Sequence, residues 1–344
     1  EILIGLVGSE MCIRDRKNTE KYSLMKGTES IYRGKKQTGS PLKLCHTAWF
    51  GRASFCYTSR IRKTERTMTT KEDNMKNTLK TEFPGIGDAQ FHIRLTEGQI
   101  SPYVLLPGAP ERVELVKKQW KNAVDLEFNR EFRSAKGTYD GMDIACVSTG
   151  IGTTSAEICL HELKNIGAHT TVRIGTTGAI SERFQPGDLI IPVAAIRADG
   201  TSDCYVDKAF PAVADRMVVN ALCEACERLG YRYGTGIMYS PSSLYIGQGR
   251  KISENGFWPS RSEHLIEDLR QARVTNIDTD SAGHFVVGYL HEMRSASILA
   301  VITNRITGEW ATDKTGEDRA CRAACEAMKI LKEWDEHPAK YSIR

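Results

Sequence analysis

The stretch Arg173-Ile174-Gly175-Thr176-Thr177-Gly178-Ala179 follows the apolar-flanked run Thr170-Thr171-Val172 and decides how the rest of the chain is interpreted. An arginine leaves the end of a predicted strand at 170–174, and two glycines allow the backbone to come close to a ligand. Two threonine hydroxyls stand between the glycines. We predict a loop here, at the carboxyl end of a strand, where α/β sheets bind ligands. Guanidinium, hydroxyl and amide groups together favour an oxyanion, and phosphate is the anion that we expect.

Two further glycine-rich turns follow apolar runs in the same way. The turn at 148–152 comes after a strand-like run at 144–147, and the turn at 107–112 comes after another at 103–106. The second of these turns carries an arginine, Arg112. One arginine beside a glycine turn would be interpreted as a surface salt-bridge partner. Two such turns favour a site that binds an anion.

Short apolar runs alternate with amphipathic helical patterns from about residue 91 onward. This alternation predicts one α/β domain with a largely parallel sheet, and a stretch rich in glycine, proline, serine and charges at 249–267 predicts a surface insertion. The predicted strands are 103–106, 144–147, 170–174, 187–193, 236–238, 274–277 and 297–302. The predicted helices are 112–120, one that includes 156–163, 216–229, 282–293 and 317–334.

The basic excess of the sequence belongs to its amino-terminal part. Residues 1–80 contain 17 Lys and Arg against 8 Asp and Glu, a net charge of +9, whereas the remainder contains 30 against 35, a net of −5. Because the body is mildly acidic, we expect no nucleic-acid partner. No apolar run approaches the length of a membrane span, so we expect no membrane association.

Residues 1–80 show no sustained period of 2 or 3.6 and are rich in Thr, Ser, Lys and Arg. We predict that they are a disordered or non-native extension, with Met68 or Met75 as a plausible native start. A targeting peptide is the alternative for this basic stretch. The domain boundaries that we predict are therefore 1–80 for the extension, 85–336 for the catalytic domain and 337–344 for a C-terminal tail.

Ten cysteines in a chain of 344 residues do not indicate a disulfide scaffold. Cys223 and Cys226 have the spacing of a redox or zinc pair, and Cys321 with Cys325 could complete it. Both pairs lie in helical patterns without a histidine at finger spacing, so we predict buried helical thiols. Reduced thiols indicate a reducing compartment, and we expect the cytoplasm.

Seven short motifs between Phe91 and about Trp334 match the motifs of one protein family, in the same order and at the same spacing. They are Phe91-His92-Ile93 with Leu95-Thr96, Pro107-Gly108-x-Pro110-x-Arg112, Arg130-Glu131-Phe132, Ser148-Thr149-Gly150-Ile151-Gly152, Arg173-Ile174-Gly175-Thr176-Thr177-Gly178, Gly247-Gln248-x-Arg250 and Asn304-Arg305.

With these motifs the chain resembles the nucleoside phosphorylase-I family, and within it the members that act on uridine. The resemblance implies a single-domain three-layer α/β/α sandwich around a mixed sheet. It also implies the phosphorolysis of uridine to uracil and ribose 1-phosphate, with no organic cofactor, in a homodimer or a higher oligomer of dimers.

The resemblance assigns roles to the residues of the motifs. Phosphate would be bound by Gly108, Arg112, Arg173 and Thr176, with Arg130 supplied by a neighbouring subunit. Several fixed guanidinium and amide donors suit a dianion, so the chemistry of these residues agrees with the assignment.

The base would be bound by Gln248, Arg250 and Arg305. A glutamine amide both donates and accepts, which matches the uracil edge, and arginine would stabilise the charge that develops on the leaving base. Purine-cleaving relatives have an aspartate where this chain has Asn304, which favours a pyrimidine. The family usually stacks an aromatic ring where Leu244 stands here.

The ribose would be bound by Asp278, Thr279 and Asp280, where the family has Glu-Met-Glu, and by His92 of the neighbouring subunit. An aspartate before an apolar helix also acts as a helix cap, so Asp280 has this alternative role. In the family an inter-subunit cation lies on a Glu, an Ile carbonyl and a Ser. Glu131, Ile151 and Ser155 occupy those places and offer hard oxygens for a structural K⁺ or Ca²⁺.

Two rival interpretations stay open. One is a phosphorylase with a different base preference, for thymidine or purine nucleosides. The other is a catalytically silent relative that binds nucleosides, which the shortened carboxylates and Leu244 keep open. A dinucleotide-binding dehydrogenase is disfavoured, because no third glycine follows Gly150 and Gly152 at the required place.

Overall fold

The computed structural model describes residues 87–251 and 256–338. The predicted extension at 1–80 lies outside the described residues, as do most of the predicted tail at 337–344 and four residues of the predicted insertion.

The described residues form ten strands and six α-helices. The strands are β1 (Tyr103–Pro107), β2 (Lys121–Asn129), β3 (Phe132–Tyr139), β4 (Met142–Val147), β5 (Thr170–Ala179), β6 (Leu189–Ala198), β7 (Ala212–Val213), β8 (Tyr233–Pro241), β9 (Asn276–Ile277) and β10 (Arg294–Asn304). The helices are α1 (Arg112–Lys117), α2 (Thr153–Asn165), α3 (Arg216–Leu229), α4 (Leu265–Gln271), α5 (Ser281–Leu290) and α6 (Thr315–Glu336).

All ten strands belong to one mixed sheet, in the order β10-β6-β8-β9-β5-β1-β4-β3-β2, with β7 paired to β6. The longest pairings, β5 with β10 and β6 with β8, are parallel. The chain β2-β3-β4 is an antiparallel meander. The predicted α/β class with a mixed sheet is thereby confirmed.

The sheet also closes on itself, which the sequence pattern did not predict. Strand β5 pairs with β9 and β1 as neighbours and additionally with β10. Strands β5, β10, β6, β8 and β9 therefore form a closed ring, and β1, β4, β3 and β2 extend from it as an open wing. Strand β1 joins the wing to the ring at residues 170–174 of β5, the half of the strand that carries Arg173 of the predicted anion site.

The predicted central strands and most helices are confirmed, because each contributes an apolar run to the core. Helix α3 illustrates the local signals: Asp215 accepts from the N–H groups of Met217 and Val218 at 2.9 and 3.0 Å, and Gly230 ends the helix in the left-handed conformation. Cys226, Cys321 and Cys325 are fully buried, and the seven cysteines within the described residues are all free. The prediction of buried helical thiols is confirmed for these three.

Among the residues that the structure describes, no helix has both the length and the apolar character needed to cross a membrane.

Candidate active site

The stretch that begins at Arg173 is strand rather than loop. Strand β5 continues to Ala179, so the prediction of a loop after 174 is wrong. Its pairing with β10 runs along the whole length, and this long-range pairing keeps the glycines extended. A side chain at Gly175 would place its Cβ 2.6 Å from Leu299 and 3.1 Å from Nη2 of Arg173, and one at Gly178 would lie 3.4 Å from Arg305. The glycines thus make room for the guanidinium of Arg173 and for the aliphatic part of the Arg305 side chain.

Arg173 is buried between two carboxylates. Its Nε and Nη2 donate to Asp278 at 3.1 and 2.8 Å, and Nη2 also donates to Asp280 at 2.6 Å. All three side chains are at most 7% exposed. The group therefore carries one net negative charge in a site with little water.

The pKa values of Arg173, Asp278 and Asp280 depend on burial and on the charges of their neighbours. Burial alone would raise the pKa of Asp278, but attraction to Arg173 and hydrogen bonds from Arg173 and Ser281 hold it below its usual value. Burial raises the pKa of Asp280, and the neighbouring charge of Asp278 adds to this effect. Burial alone would lower the pKa of Arg173, but its two carboxylates raise it, so the guanidinium stays charged.

One guanidinium nitrogen of Arg173 has no protein partner in the described part of the chain. Its Nη1 is buried and unpaired. A Cβ on Gly108 would lie 3.4 Å from this Nη1 and 3.8 Å from Nη1 of Arg112, so both guanidinium groups face the Gly108 turn. A buried donor without a hydrogen-bond partner costs folding free energy. Here the unpaired N–H faces Gly108, which has no side chain to cover it. The predicted phosphate residues Gly108, Arg112 and Arg173 are therefore brought together.

Arg112 is held in place by a residue that the sequence analysis missed. Its Nε and Nη2 both donate to Oε2 of Glu317 at 2.8 Å, and its Nη1 donates to the carbonyl of Ile174 at 3.3 Å. Glu317 lies in the first turn of α6, far away in sequence, and no local pattern pointed to it. Thr176, the remaining phosphate residue of the same chain, is partly exposed on β5 between the two glycines.

The three predicted base residues also lie together. Nη1 of Arg305 donates to the backbone carbonyl of Gln248, which is buried in a 3₁₀ turn at Ile246–Gln248. Burial, followed by repulsion from Arg250, lowers the pKa of Arg305 to about 10. Nε of Arg250 is buried and has no partner among the described residues. Two adjacent guanidinium groups with no carboxylate partner among the described residues form a site suited to negative charge.

Asn304 is turned away from any substrate role. Its amide nitrogen donates to the carbonyls of Ser181 and Phe184 at 3.1 and 2.7 Å, and its oxygen accepts from the N–H groups of Ile306 and Thr307 at 2.9 and 3.3 Å. These bonds fix the turn that carries Arg305. Leu244 and the adjacent Tyr245 are both more than half exposed, at 54% and 58%.

The alternative role of Asp280 as the cap of its own helix is wrong. Helix α5 begins at Ser281, and the side chain of Asp280 makes no capping bond to it. Its Oδ1 instead accepts from the N–H of Gly152 at 2.6 Å, at the start of α2, while Thr279 donates to its Oδ2 at 2.9 Å. Asp280 thereby ties the turn before α2 to Arg173.

The two residues predicted to serve a neighbouring subunit, Arg130 and His92, differ in exposure. Arg130 is exposed at the turn between β2 and β3, with a φ of 55°. His92 is largely buried, and its Nδ1 lies 2.7 Å from Oε1 of Glu162 on α2. Glu162 is a second residue that the sequence analysis missed, since 70 residues separate it from His92.

Two of the three predicted cation ligands are in contact. The hydroxyl of Ser155 donates to Oε1 of Glu131 at 2.8 Å. A Cβ on Gly150 would lie 2.8 Å from Cγ of Glu131 and 3.0 Å from the Ser155 oxygen, so only a glycine lets both groups pack this closely against the turn. The side chain of Ile151, next to this glycine, is 89% exposed.

Comparison with known proteins gives a consistent assignment. A family model described as "Phosphorylase superfamily" matches residues 102–333. The chain is 47% identical over 255 residues to a uridine phosphorylase of Thermococcus kodakarensis, covering 74% of this chain and 91% of that protein. It is 34% identical over 246 residues to a uridine phosphorylase of Haemophilus influenzae, covering 70% of this chain and 98% of that protein.

A solved structure shares the fold. The crystal structure of a uridine phosphorylase from Vibrio fischeri matches with a TM-score of 0.64 and 30% identity, covering 71% of this chain and 98% of the other.

Proposed function

The chain belongs to the phosphorylase superfamily, and we propose that it is an enzyme that cleaves uridine with inorganic phosphate, giving uracil and ribose 1-phosphate. The observation that carries the proposal is the pair of guanidinium groups at the Gly108 turn, where Nη1 of Arg173 is buried without a partner. An oxyanion would supply the missing acceptor. Proteins named uridine phosphorylase share up to 47% identity with this chain in the comparisons above, which supports uridine as the nucleoside.

Phosphate is the nucleophile in this proposal, so the protein needs no nucleophilic side chain of its own. Arg173, Arg112 and the Gly108 turn, with Thr176, orient phosphate against the sugar, and Arg130 of a neighbouring subunit completes its neutralisation. The negative charge of Asp278 and Asp280 opposes the anion but stabilises positive charge on the ribose ring as the glycosidic bond breaks. Orientation and electrostatic stabilisation together account for catalysis of this kind.

The departing base takes the electron pair of the broken bond. Arg250 lies close enough to Arg305 to contribute to the lowered pKa of Arg305, and neither guanidinium has a carboxylate among its described contacts. Negative charge that develops on uracil would be stabilised there, while the Gln248 amide matches the donor and acceptor of the pyrimidine edge. Asn304 supports a pyrimidine over a purine, because its amide is bound to backbone and cannot act as an acid.

The test is uracil release from uridine, measured with and without phosphate. We expect release that depends on phosphate and yields ribose 1-phosphate in equal amount. Binding of uridine without phosphate-dependent release would identify a catalytically silent relative. A panel of uridine, thymidine, inosine and adenosine resolves the base preference, and faster cleavage of a purine nucleoside would contradict the proposal.

A dimer is part of the same proposal, because Arg130 and His92 would act on the site of the partner. Phe128 and Ile151, which lie close to Arg130 in sequence or to the Glu131 contact, are 65% and 89% exposed. Large exposed apolar side chains of this kind support an interface between subunits. The free cysteines of the described residues support a reducing compartment, and we propose the cytoplasm.

A structural K⁺ or Ca²⁺ at this interface would be held by the Glu131 carboxylate, the Ile151 carbonyl and the Ser155 hydroxyl. The contact between Ser155 and Glu131 brings two oxygen ligands together, of the hard kind that K⁺ and Ca²⁺ prefer. The cation would bridge subunits without entering the reaction. An increase in melting temperature with added K⁺ or Ca²⁺, absent in Glu131→Ala, is the expected result.

A further inference from the structure

One buried carboxylate binds both the backbone and the ring of His92. Glu162, on α2, is 7% exposed. Its two oxygens accept from the N–H of His92 at 3.0 Å each, from the N–H of Ile93 at 2.8 Å, and its Oε1 lies 2.7 Å from the imidazole Nδ1. From the other side, the Asn129 amide donates to the carbonyl of His92 at 2.7 Å. Side chains from a helix and a strand therefore fix this segment.

The bond to Glu162 determines where the imidazole carries its proton. A carboxylate without a proton can only accept, so Nδ1 must donate. In the neutral ring the remaining nitrogen, Nε2, is then an acceptor and points away from Glu162. Rotation of the ring would break the Nδ1 contact, so the same bond also fixes the direction of Nε2. The rings of Phe91 and Phe132 lie edge-on to the imidazole at 4.9 and 6.1 Å and restrict it further.

We infer that Glu162 is a positioning residue, which holds His92 so that Nε2 accepts a hydrogen bond from the ribose 5′-hydroxyl in the site of the neighbouring subunit. The inference rests on the proposed function, which supplies the role of His92. It assigns to Glu162 a part of substrate selection: the site would prefer nucleosides with a free 5′-hydroxyl over 5′-deoxy nucleosides. A residue on α2 of one subunit would thus affect substrate choice in the other.

The competing explanation is that Glu162 only ties residues 92 and 93 to α2. Both explanations predict lower stability when Glu162 is replaced, so stability alone does not separate them. They differ in the ratio of kcat/KM for uridine to kcat/KM for 5′-deoxyuridine. If Glu162 only anchors residues 92 and 93 to α2, its replacement should change kcat/KM equally for both substrates. If Glu162 positions His92, its replacement should lower kcat/KM only for uridine, which has the 5′-hydroxyl.

The experiment measures this ratio, with melting temperature, for wild type, His92→Ala, Glu162→Gln and the double variant. We expect Glu162→Gln to reduce the ratio by about 3- to 10-fold, the range of one net hydrogen bond. The double variant should have the same ratio as His92→Ala, because Glu162 acts through the imidazole. Glu162→Asp, which keeps the charge but shortens the reach, should give an intermediate ratio and serves if Glu162→Gln does not fold.

Glu157→Gln is the matched control. Glu157 lies on the same helix and accepts from the Tyr205 hydroxyl at 2.6 Å, so its replacement also removes a charged acceptor from α2. The Glu157→Gln variant should have the same ratio of kcat/KM for uridine to kcat/KM for 5′-deoxyuridine as the wild type. If His92→Ala changes the ratio and neither Glu162 variant does, the inference is overturned while the proposed function stands. If His92→Ala leaves the ratio unchanged, the assigned role of His92 fails and the inference fails with it.

Discussion

Arg173 has two tasks that a single substitution to alanine cannot separate. Its Nη1 faces the Gly108 turn, and its other nitrogens neutralise Asp278 and Asp280. Arg173→Ala would leave two buried carboxylates without a positive charge to balance them, and such losses typically cost about 3–5 kcal/mol of stability. Lost activity in that variant would therefore not identify a phosphate site.

Arg173→Lys separates the two tasks. Lysine keeps the positive charge beside both aspartates but lacks the fork whose Nη1 faces the phosphate position. We expect the KM for phosphate to rise by about 10-fold or more, as for the loss of a charged hydrogen bond, with a smaller loss of melting temperature than in Arg173→Ala. The KM for uridine is the internal control and should change little. Phosphate saturation equal to that of the wild type would remove Arg173 from the anion site.

His284, a buried residue that the mechanism does not use, predicts how stability depends on pH. It lies on α5 with Nε2 2.9 Å from the Thr171 hydroxyl, and burial, with the charge of Arg173 second, lowers its pKa to about 3. In the unfolded chain a histidine titrates near 6.5. Below about pH 6.5 the unfolded state therefore binds a proton that the folded state refuses, and stability decreases as the pH falls towards 3.

We expect His284→Gln to be less stable than wild type at pH 7.5 but to lose less stability between pH 6.5 and 4.5. Urea unfolding at four pH values over this range measures both quantities. His337→Gln, at the exposed end of α6, is the control and should follow the wild-type curve. Parallel curves for His284→Gln and wild type would show that His284 does not contribute to acid sensitivity.

The glycine turns were sufficient to predict that Arg112 and Arg173 lie together, because each turn is a local signal of strand, glycine and cation. Their partners could not be predicted in the same way. Asp278 lies 105 residues from Arg173, and Glu317 lies 205 residues from Arg112. No spacing in the sequence encodes such contacts, so the balance of charge around the site becomes visible only in the folded chain.

Elements with a buried apolar run were predicted, and elements without one were missed. Strands β1, β4, β5 and β10 are almost entirely buried, which gives continuous apolar sequence. Strand β2 is exposed at nearly every position, and its short alternation of Val124, Leu126 and Phe128 with acidic residues is not a buried apolar run. Helix α4 begins within the last residues of the stretch predicted as an insertion and continues beyond it, with a single buried side chain, Leu269, as its apolar signal.

Helix α2 begins at a turn that depends on Asp280, which gives the test of the ribose assignment. Both carboxylate oxygens already accept from Gly152, Thr279 and Arg173, yet a carboxylate has about four acceptor positions and can still accept from a sugar diol. If Asp280 binds the diol, wild type should prefer uridine over 2′-deoxyuridine in kcat/KM. Asp280→Ala should then lose far more on uridine and bring the two substrates together, with Asp280→Asn between them.

A different result is expected if Asp280 does not bind the ribose diol. If Asp280 only secures the start of α2 and Arg173, Asp280→Ala should slow both substrates equally. Its melting temperature should fall, because the N–H of Gly152 loses its acceptor and Arg173 loses one of its two carboxylates. An unchanged substrate ratio with a lowered melting temperature would remove Asp280 from the ribose site.

The closed ring of five strands was beyond prediction from the sequence for a topological reason. It depends on β5 pairing with β10, two strands separated by more than 100 residues, in addition to its sheet neighbours. Local periodicity specifies that each is a buried strand but not which strands meet. The ring nevertheless brings β5, β9 and the end of β10 together, and with them Arg173, Asp278 and Arg305.

The proposed sharing of the site between two subunits makes a prediction about the whole assembly. Arg250 would serve its own subunit, whereas Arg130 would serve the neighbour. In a hybrid dimer of Arg130→Ala and Arg250→Ala chains, one site would carry both defects and the other would carry neither. Mixing the two inactive variants under conditions that allow subunit exchange should therefore restore activity, up to about half of wild type per hybrid dimer.

The controls follow from the same geometry. A mixture of Arg250→Ala with Arg112→Ala should stay inactive, because both residues serve their own subunit and every site keeps one defect. A mixture of Arg130→Ala with His92→Ala should stay inactive as well, because both residues are donated and each site receives one defective partner. Subunit exchange is verified by mass spectrometry of isotopically labelled chains. Exchange without restored activity in the first mixture, or activity restored in all three, would show that the active site is not shared between subunits in this way.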